Sequence, residues 1–280
     1  MISPVLRLAR VSNLPTIWSN VLAASVLVGG MDATSLALVL SAMSALYTGG
    51  MVLNDAFDRE IDARERPERP IPAGEIALAT VWIVGFGLLL AGVALLAVFG
   101  SMSAAGGLAL AVAILLYDAW HKGNPVSPLI MGVCRALVYV GTSLAAGAVL
   151  GMSIVGSAFA LLLYVAGLTR AAKGGSFQSA SAAWPVLLLA APIVFAFVDG
   201  RADALSLATT ALFVVVLGRA IHRLRSGVPR DREAAVGLLI AAIALADAVV
   251  AGTHGNPVLA AVCVALFFLT LALQRLISGT

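Results

Sequence analysis

Residues 34–62 read TSLALVLSAMSALYTGGMVLNDAFDREID. From Thr34 to Leu53 no residue is charged. A bilayer core about 30 Å thick is crossed by about 20 apolar residues in helix, so this run is long enough to span. Acids then follow at once: Asp55, Asp58, Glu60 and Asp62, with Asn54 before them. A membrane helix ending in a cluster of carboxylates is the feature that organises the rest of the chain.

Outward from it, the same pattern repeats. Further apolar runs occupy approximately 14–30, 78–99, 102–117, 128–150, 153–172, 184–198, 203–222, 234–251 and 256–276. The chain of 280 residues is 61% apolar and only 11% charged, whereas soluble domains carry about 25% charge. Its mean hydropathy is +1.04. No hydrophilic block is long enough to fold separately. The expectation is therefore an all-α integral membrane protein of about ten transmembrane helices, forming a single domain over 1–280. Arg7 and Arg10 precede the first run as in a signal peptide, but no convincing cleavage site follows, and the run is read as a retained anchor. Cys134 and Cys263 both lie within apolar runs and imply no disulfide framework.

The 17 Lys and Arg residues orient the bundle. With both termini inside, nearly all fall at the cytoplasmic ends of the runs. Arg135 lies about two turns into the fifth, and only Arg201 is outside. This is the positive-inside pattern. It accounts for the pI near 9.2 without a nucleic-acid partner, and it puts the chemistry on the cytoplasmic side.

At about 100° per residue, Asn54, Asp55, Asp58 and Asp62 share roughly a 100° arc if the helix continues. Like charges this close repel unless a cation joins them. Oxygen-only donors suit Mg²⁺, which binds through one or two carboxylates plus substrate phosphates. The plainer reading is a solvated helix end with internal ion pairs. The long connection that follows, Arg64-Glu65-Arg66-Pro67-Glu68-Arg69-Pro70-Ile71-Pro72-Ala73-Gly74-Glu75, is stiffened by three prolines. Its arginines either hold an anionic group or only set topology.

The acidic run from Asn54 to Asp62, followed by Arg66-Pro67-Glu68-Arg69-Pro70-Ile71-Pro72-Ala73-Gly74, resembles the first signature of the UbiA superfamily of intramembrane prenyltransferases. The resemblance implies an all-helical fold and Mg²⁺-dependent ionisation of an isoprenyl diphosphate, whose allylic carbon joins an acceptor that is often aromatic. It implies that Asn54, Asp58 and Asp62 serve the metal, with Asp55 supporting them, and that Arg64 and Arg69 meet substrate. The resemblance extends over roughly 5–250. Nine helices are usual in the family, so the run after Asn256-Pro257 reads as an added C-terminal helix. Ser127 to Leu137, around Arg135, resembles the EboC-like bacterial branch, which implies an inner (plasma) membrane location.

Tyr117 and Lys122 end the fourth run. By the resemblance Lys122 contacts diphosphate; alternatively it snorkels and pairs with Asp118 at i, i+4. Arg135 within apolar sequence needs a partner, either the diphosphate cavity or an acid such as Asp118. Asp247 raises the same question and the family pattern gives it no role. A second acidic motif is expected at the end of the sixth run. A weak echo, Tyr47 and Gly50 against Tyr164 and Gly167, aligns Asn54, Asp58 and Asp62 with Ala171, Gly175 and Ser179, none of them acidic. Arg170 and Lys173 stand there instead. Either these cations neutralise diphosphate directly, or the chemistry is weakened.

Prenyl transfer is the leading expectation: donor diphosphate at the acids, Lys122, Arg170 and Lys173, with the lipid tail between helices, and Asp58, Asp62 and Lys122 as the catalytic set. The alternatives are a non-catalytic binder of an isoprenoid or aromatic metabolite, and an intramembrane terpene cyclase.

Overall fold

A computed structural model describes residues 4–173, 184–198, 200–226 and 228–277. A short helix α1 (Pro4–Leu8) and a 3-10 turn over Val11–Asn13 lead into α2 (Pro15–Leu27) and α3 (Ala33–Phe57), followed by α4 (Arg59–Glu65). Then come α5 (Leu78–Ala97), α6 (Ser101–Trp120), α7 (Ser127–Ala145), α8 (Met152–Ala172), α9 (Trp184–Leu189) and α10 (Ala191–Ala196). The chain ends with α11 (Ala204–Arg225), α12 (Pro229–Ala241), α13 (Ile243–Thr253) and α14 (Pro257–Gln274).

Each of the ten apolar runs holds a helix or a helix pair. Among the described residues eight segments are long and apolar enough to cross a membrane, α12 and α13 counting together as one; α2 and the α9–α10 pair are shorter. Local chemistry fixes where they start. Asp32 accepts hydrogen bonds from the Thr34 and Ser35 amides at the start of α3. Asp203 and Ser206 form a reciprocal capping box on α11. Asn256 caps α14, with Pro257 at its first position.

Membrane helices gain little from apolar contact with one another, because lipid is equally apolar; close packing through small residues is what joins them. The α3–α5 pair is the clear case. A Cβ on Gly49 would lie 2.9 Å from the Gly85 carbonyl oxygen, and one on Gly85 only 2.5 Å from Leu53. α13 is buried along its whole length and packs against α2, α10, α11 and α14. Gln274, at the end of α14, donates to Asn13 Oδ1 at 3.1 Å. The first and last described segments therefore meet at one end of the bundle, the end that also carries Asp58 and Lys122.

One expectation changes. The acids do not sit on a single continuing helix. α3 ends at Phe57, and Asp58 at φ −83°, ψ −1° turns the chain into the separate α4. The arc of four oxygen ligands is thereby divided between two helices.

Candidate active site

Asn54, Asp55, Asp58 and Asp62 are all buried at the α3–α4 joint, between 3% and 6% exposed. Buried carboxylates need partners, and here the partners divide them into two groups. Arg69, from the proline-stiffened loop, places Nη1 3.0 Å from Asp55 Oδ1 and 2.9 Å from Asp62 Oδ2. Asp58 faces the other way. Its Oδ2 lies 3.4 Å from both His121 Nε2 and Lys122 Nζ. Burial pushes the Asp58 carboxyl up, but the hydrogen bonds and charge of His121 and Lys122 outweigh it and hold the group below its ordinary range. Lys122 thus pairs with Asp58 rather than with Asp118.

Asn54 stands between the groups. Its amide nitrogen donates to Asp118 Oδ1 at 3.1 Å, and its Oδ1 accepts from Arg10 Nη2 at 3.2 Å. The other Asp118 oxygen is buried without a hydrogen-bond partner. Arg10 also reaches Asp55 Oδ1 at 3.2 Å. Among the described residues Arg10 is the only non-glycine with positive φ, at 42°. Left-handed backbone costs an ordinary residue about 1–2 kcal/mol, and such strain concentrates at functional sites. Tyr47 secures it by donating its hydroxyl to the Arg10 carbonyl at 3.1 Å.

Arg10 borders two spaces. Below it, a cavity of about 260 Å³ runs between the helices, walled by Met43, Leu110, Ile114, Met131 and Val138, with Tyr117 and Asp118 among its polar lining. Above it, a wider vestibule of about 850 Å³ is bordered by Arg7, Arg66, Arg69 and Arg232 as well as Asp55. Tyr117 also stacks on His121, with centroids 4.9 Å apart.

The basic end of the sixth run joins the same site from the opposite side. Lys173 Nζ donates to the His121 carbonyl at 2.9 Å and to Ser127 Oγ. Partial burial, then the charges of Lys122 and Arg170, push its ammonium pKa down. Arg64 and Arg170 are exposed, as are Lys122 and Lys173, and none of the four borders the cavity or the vestibule; nor do Asn54, Asp58 and Asp62. Of the echo positions, Ala171 is buried, whereas Gly175 and Ser179 lie outside the described residues.

Arg135 lines the cavity but does not pair with Asp118. Its two terminal nitrogens donate to Asn20 Oδ1 and Thr16 Oγ1, each at 3.0 Å, and its guanidinium carbon lies 6.0 Å from the Tyr47 ring centroid. Asn20 also donates to Asp247 Oδ2 at 2.7 Å, and Ser19 and Tyr139 complete that carboxylate's shell at 2.6 and 2.5 Å. Asp247 is a satisfied buried acid joining α2, α7 and α13.

The donor set can be tested for a hard cation. Asn54, Asp58, Asp62 and Asp118 offer only oxygen, and one Asp118 oxygen has no partner. Among the described residues no group of three or more His, Cys, Asp or Glu is arranged to hold a metal ion by itself. The oxygen donors are of the kind Mg²⁺ takes when it binds one or two carboxylates and completes its shell with water and phosphate.

Sequence reasoning missed Arg10, read there only as a topology signal, and left out His121. Nothing in the sequence marks a left-handed arginine, and the Asp58 contact of His121 depends on how α6 ends.

Comparison with known proteins bears on the whole chain. The description "UbiA prenyltransferase family" matches residues 12–278, a stretch that runs on through α14. Digeranylgeranylglyceryl phosphate synthase of Methanothrix thermoacetophila is 39% identical over 90 residues, which is 32% of this chain and 34% of that one. The enzyme of the same name from Methanopyrus kandleri is 28% identical over 166 residues, 59% of this chain and 60% of its own. The matches thus span about a third to three-fifths of these relatives' lengths. Among solved structures, a UbiA homologue from Aeropyrum pernix K1 superposes with TM-score 0.68 at 18% identity, covering 90% of this chain and 98% of that one. A UbiA homologue from Archaeoglobus fulgidus bound to GPP and Mg²⁺ gives 0.51 at 15% identity, covering 96% and 100%. With the buried Asp-rich joint and the helical bundle in place, and a match reaching from the first membrane helix to the last, this chain belongs to the UbiA prenyltransferase family.

Proposed function

We propose that this protein transfers an isoprenyl group, within the membrane, from an isoprenyl diphosphate to a small-molecule acceptor, with Mg²⁺ as cofactor. One observation carries the reading: the buried carboxylates of Asp118 and Asp55, with Arg10 and Arg69 beside them, line an apolar cavity and the vestibule that adjoins it. The Archaeoglobus fulgidus homologues bound to GPP or DMAPP with Mg²⁺ support the same ligand chemistry.

Asn54, Asp58 and Asp62 would hold Mg²⁺, which when bound draws charge from the departing diphosphate. The chain's own cations act on the same oxygens. Lys122 and Lys173 approach from the α6 and α8 ends as compact charges. Arg10 and Arg69 hold the acids together and keep further N–H donors, since a guanidinium has five. Asp55 anchors both arginines. Arg64 and Arg170, exposed at the surface, attract the anionic donor before it docks. Tyr117 and Arg135 border the cavity in which the isoprenyl tail lies, and its apolar walls keep water from the allylic cation. On this reading the charged end of the bundle faces the cytoplasm, which the positive-inside distribution of arginines supports.

A second reading is retained: an isoprenoid or aromatic-metabolite binder without turnover. It is favoured by the cation partners that Asp55, Asp58 and Asp62 already possess. Purified protein with Mg²⁺ and a range of isoprenyl diphosphates separates the two. Diphosphate release that Asp58→Ala abolishes supports transfer. Donor binding without release supports the binder. No release with any donor or acceptor, together with unchanged donor binding in Asp58→Ala, sinks the site as drawn.

A further inference from the structure

α11 and α14 both pack on α12 but make at most marginal contact with each other. The gap between them is a crevice of about 1410 Å³. Its inner stretch is apolar, with Val215, Leu238, Phe267, Phe268 and Leu271 along the walls. Its outer stretch carries Arg219 and Arg223 from α11 and Arg275 from the end of α14, opposed only by Glu233. All three arginines are exposed, and among the described residues none of them is in an ion pair. Three guanidiniums against one carboxylate leave a surplus of positive charge. At about 1.5 Å per residue, Leu212 and Phe267 lie roughly 10 Å deeper than the arginines on their own helices.

A gap open to the bilayer at that depth is filled by something apolar, and its charged mouth selects an anion. We propose that the crevice between α11, α12 and α14 binds one glycerophospholipid with an anionic headgroup, its phosphate on Arg219, Arg223 and Arg275 and its acyl chains along Phe267, Phe268 and Leu271. Basic pockets between membrane helices take such headgroups. The depth and apolarity of the inner stretch exclude free phosphate as the natural occupant, because the ligand must supply tails. The site is separate from the acidic joint, and its test does not depend on prenyl transfer.

Gly218 provides a way to close the crevice without touching its charges. It borders the gap, and a Cβ added there meets nothing within 4 Å. The experiment uses the full chain in nanodiscs of phosphatidylcholine with a minor share of phosphatidylglycerol, followed by native mass spectrometry of the lipids that stay bound. The wild type should retain one phosphatidylglycerol in preference to phosphatidylcholine. Gly218→Trp, with every arginine kept, should lose that preference by at least tenfold, and so should the triple Arg219→Gln, Arg223→Gln, Arg275→Gln. Arg225→Gln, an exposed arginine of the same helix outside the crevice, should leave it unchanged. Retention in Gly218→Trp, or equal loss in Arg225→Gln, would mean attraction to surface charge in general and overturns the proposal. Should the triple variant fail to fold, the Gly218 and Arg225 variants decide alone.

Discussion

Lys173 donates to the His121 carbonyl oxygen, and the ring of that same His121 touches Asp58. The basic end of α8 and the acidic end of α3 thus meet on a single residue of the α6–α7 connection. This arrangement bears on the missing second acidic motif. On the proposed prenyl-transfer reading, a site that neutralises diphosphate with one acidic half and one basic half needs the two halves close together, and His121 contacts both.

Lys173 should therefore matter more than Arg170, although both were expected from sequence to meet diphosphate. Both side chains are exposed, but Lys173→Met removes a cation hydrogen-bonded to the His121 carbonyl and Ser127, whereas Arg170→Gln removes one that makes no such contact among the described residues. A charge-assisted hydrogen bond contributes about 1.5–3 kcal/mol, or roughly 10- to 100-fold in affinity. Binding of geranyl diphosphate with Mg²⁺ should weaken by about tenfold or more in Lys173→Met and by less than about threefold in Arg170→Gln. Equal effects would mean that α8 does not face the ligand.

Arg69 links Asp55 and Asp62 across two helices, and all three side chains are largely buried. Arg69→Ala leaves two acids without that partner. Removing one side of a buried pair costs about 3–5 kcal/mol. The expected result is a clear fall in the thermal unfolding midpoint in detergent. Adding Asp62→Asn should recover part of the loss, since a neutral amide tolerates the vacancy better. A double variant no more stable than Arg69→Ala would place the loss in packing rather than charge.

The α3–α5 contact predicts an opposite outcome for two glycines, Gly49 on α3 and Gly87 on α5. A Cβ at Gly49 meets the Gly85 carbonyl at 2.9 Å, and backbone cannot rotate aside; a Cβ at Gly87 meets nothing within 4 Å. Gly49→Ala should destabilise by about 1–3 kcal/mol through overpacking, despite the better helix propensity of alanine. Gly87→Ala should be neutral or stabilising by up to about 1 kcal/mol. Unfolding of the two variants side by side checks the sign.

The ten apolar runs, the acids of α3 and the loop arginine Arg69 were legible in the sequence because each depends on local composition or spacing. What escaped depends on tertiary placement. The break at Asp58 turned one expected arc into two groups, so Asp62 joined Arg69 and Asp55 while Asp58 joined Lys122. Arg135 and Asp247 were seen to need partners, but their common partner Asn20 lies on α2, far from both in sequence. Arg64 was placed at the site by the loop that carries it and Arg170 by the internal echo of the first motif, and both side chains are exposed. The match of the family through residue 278 likewise takes in α14, which the usual helix count of the family had set apart.

Arg10 gives the prediction in which stability and binding separate. Its left-handed backbone costs about 1–2 kcal/mol that glycine would not. Its guanidinium reaches Asn54 and Asp55, at the border between the cavity and the vestibule. Arg10→Gly relieves the backbone strain and removes one of the two cations on Asp55, effects of opposite sign that leave the unfolding midpoint little changed. Donor binding has no such compensation, because the guanidinium between the two spaces is gone. Geranyl diphosphate affinity should fall by about tenfold or more while the unfolding midpoint moves little. Arg10→Lys separates the two terms further: it keeps a positive charge, keeps the strained backbone, and loses the paired contact to Asn54 and Asp55. Its affinity should lie between wild type and Arg10→Gly, and its stability below both. A stability order with Arg10→Gly lowest would show that the strain is not what distinguishes this position.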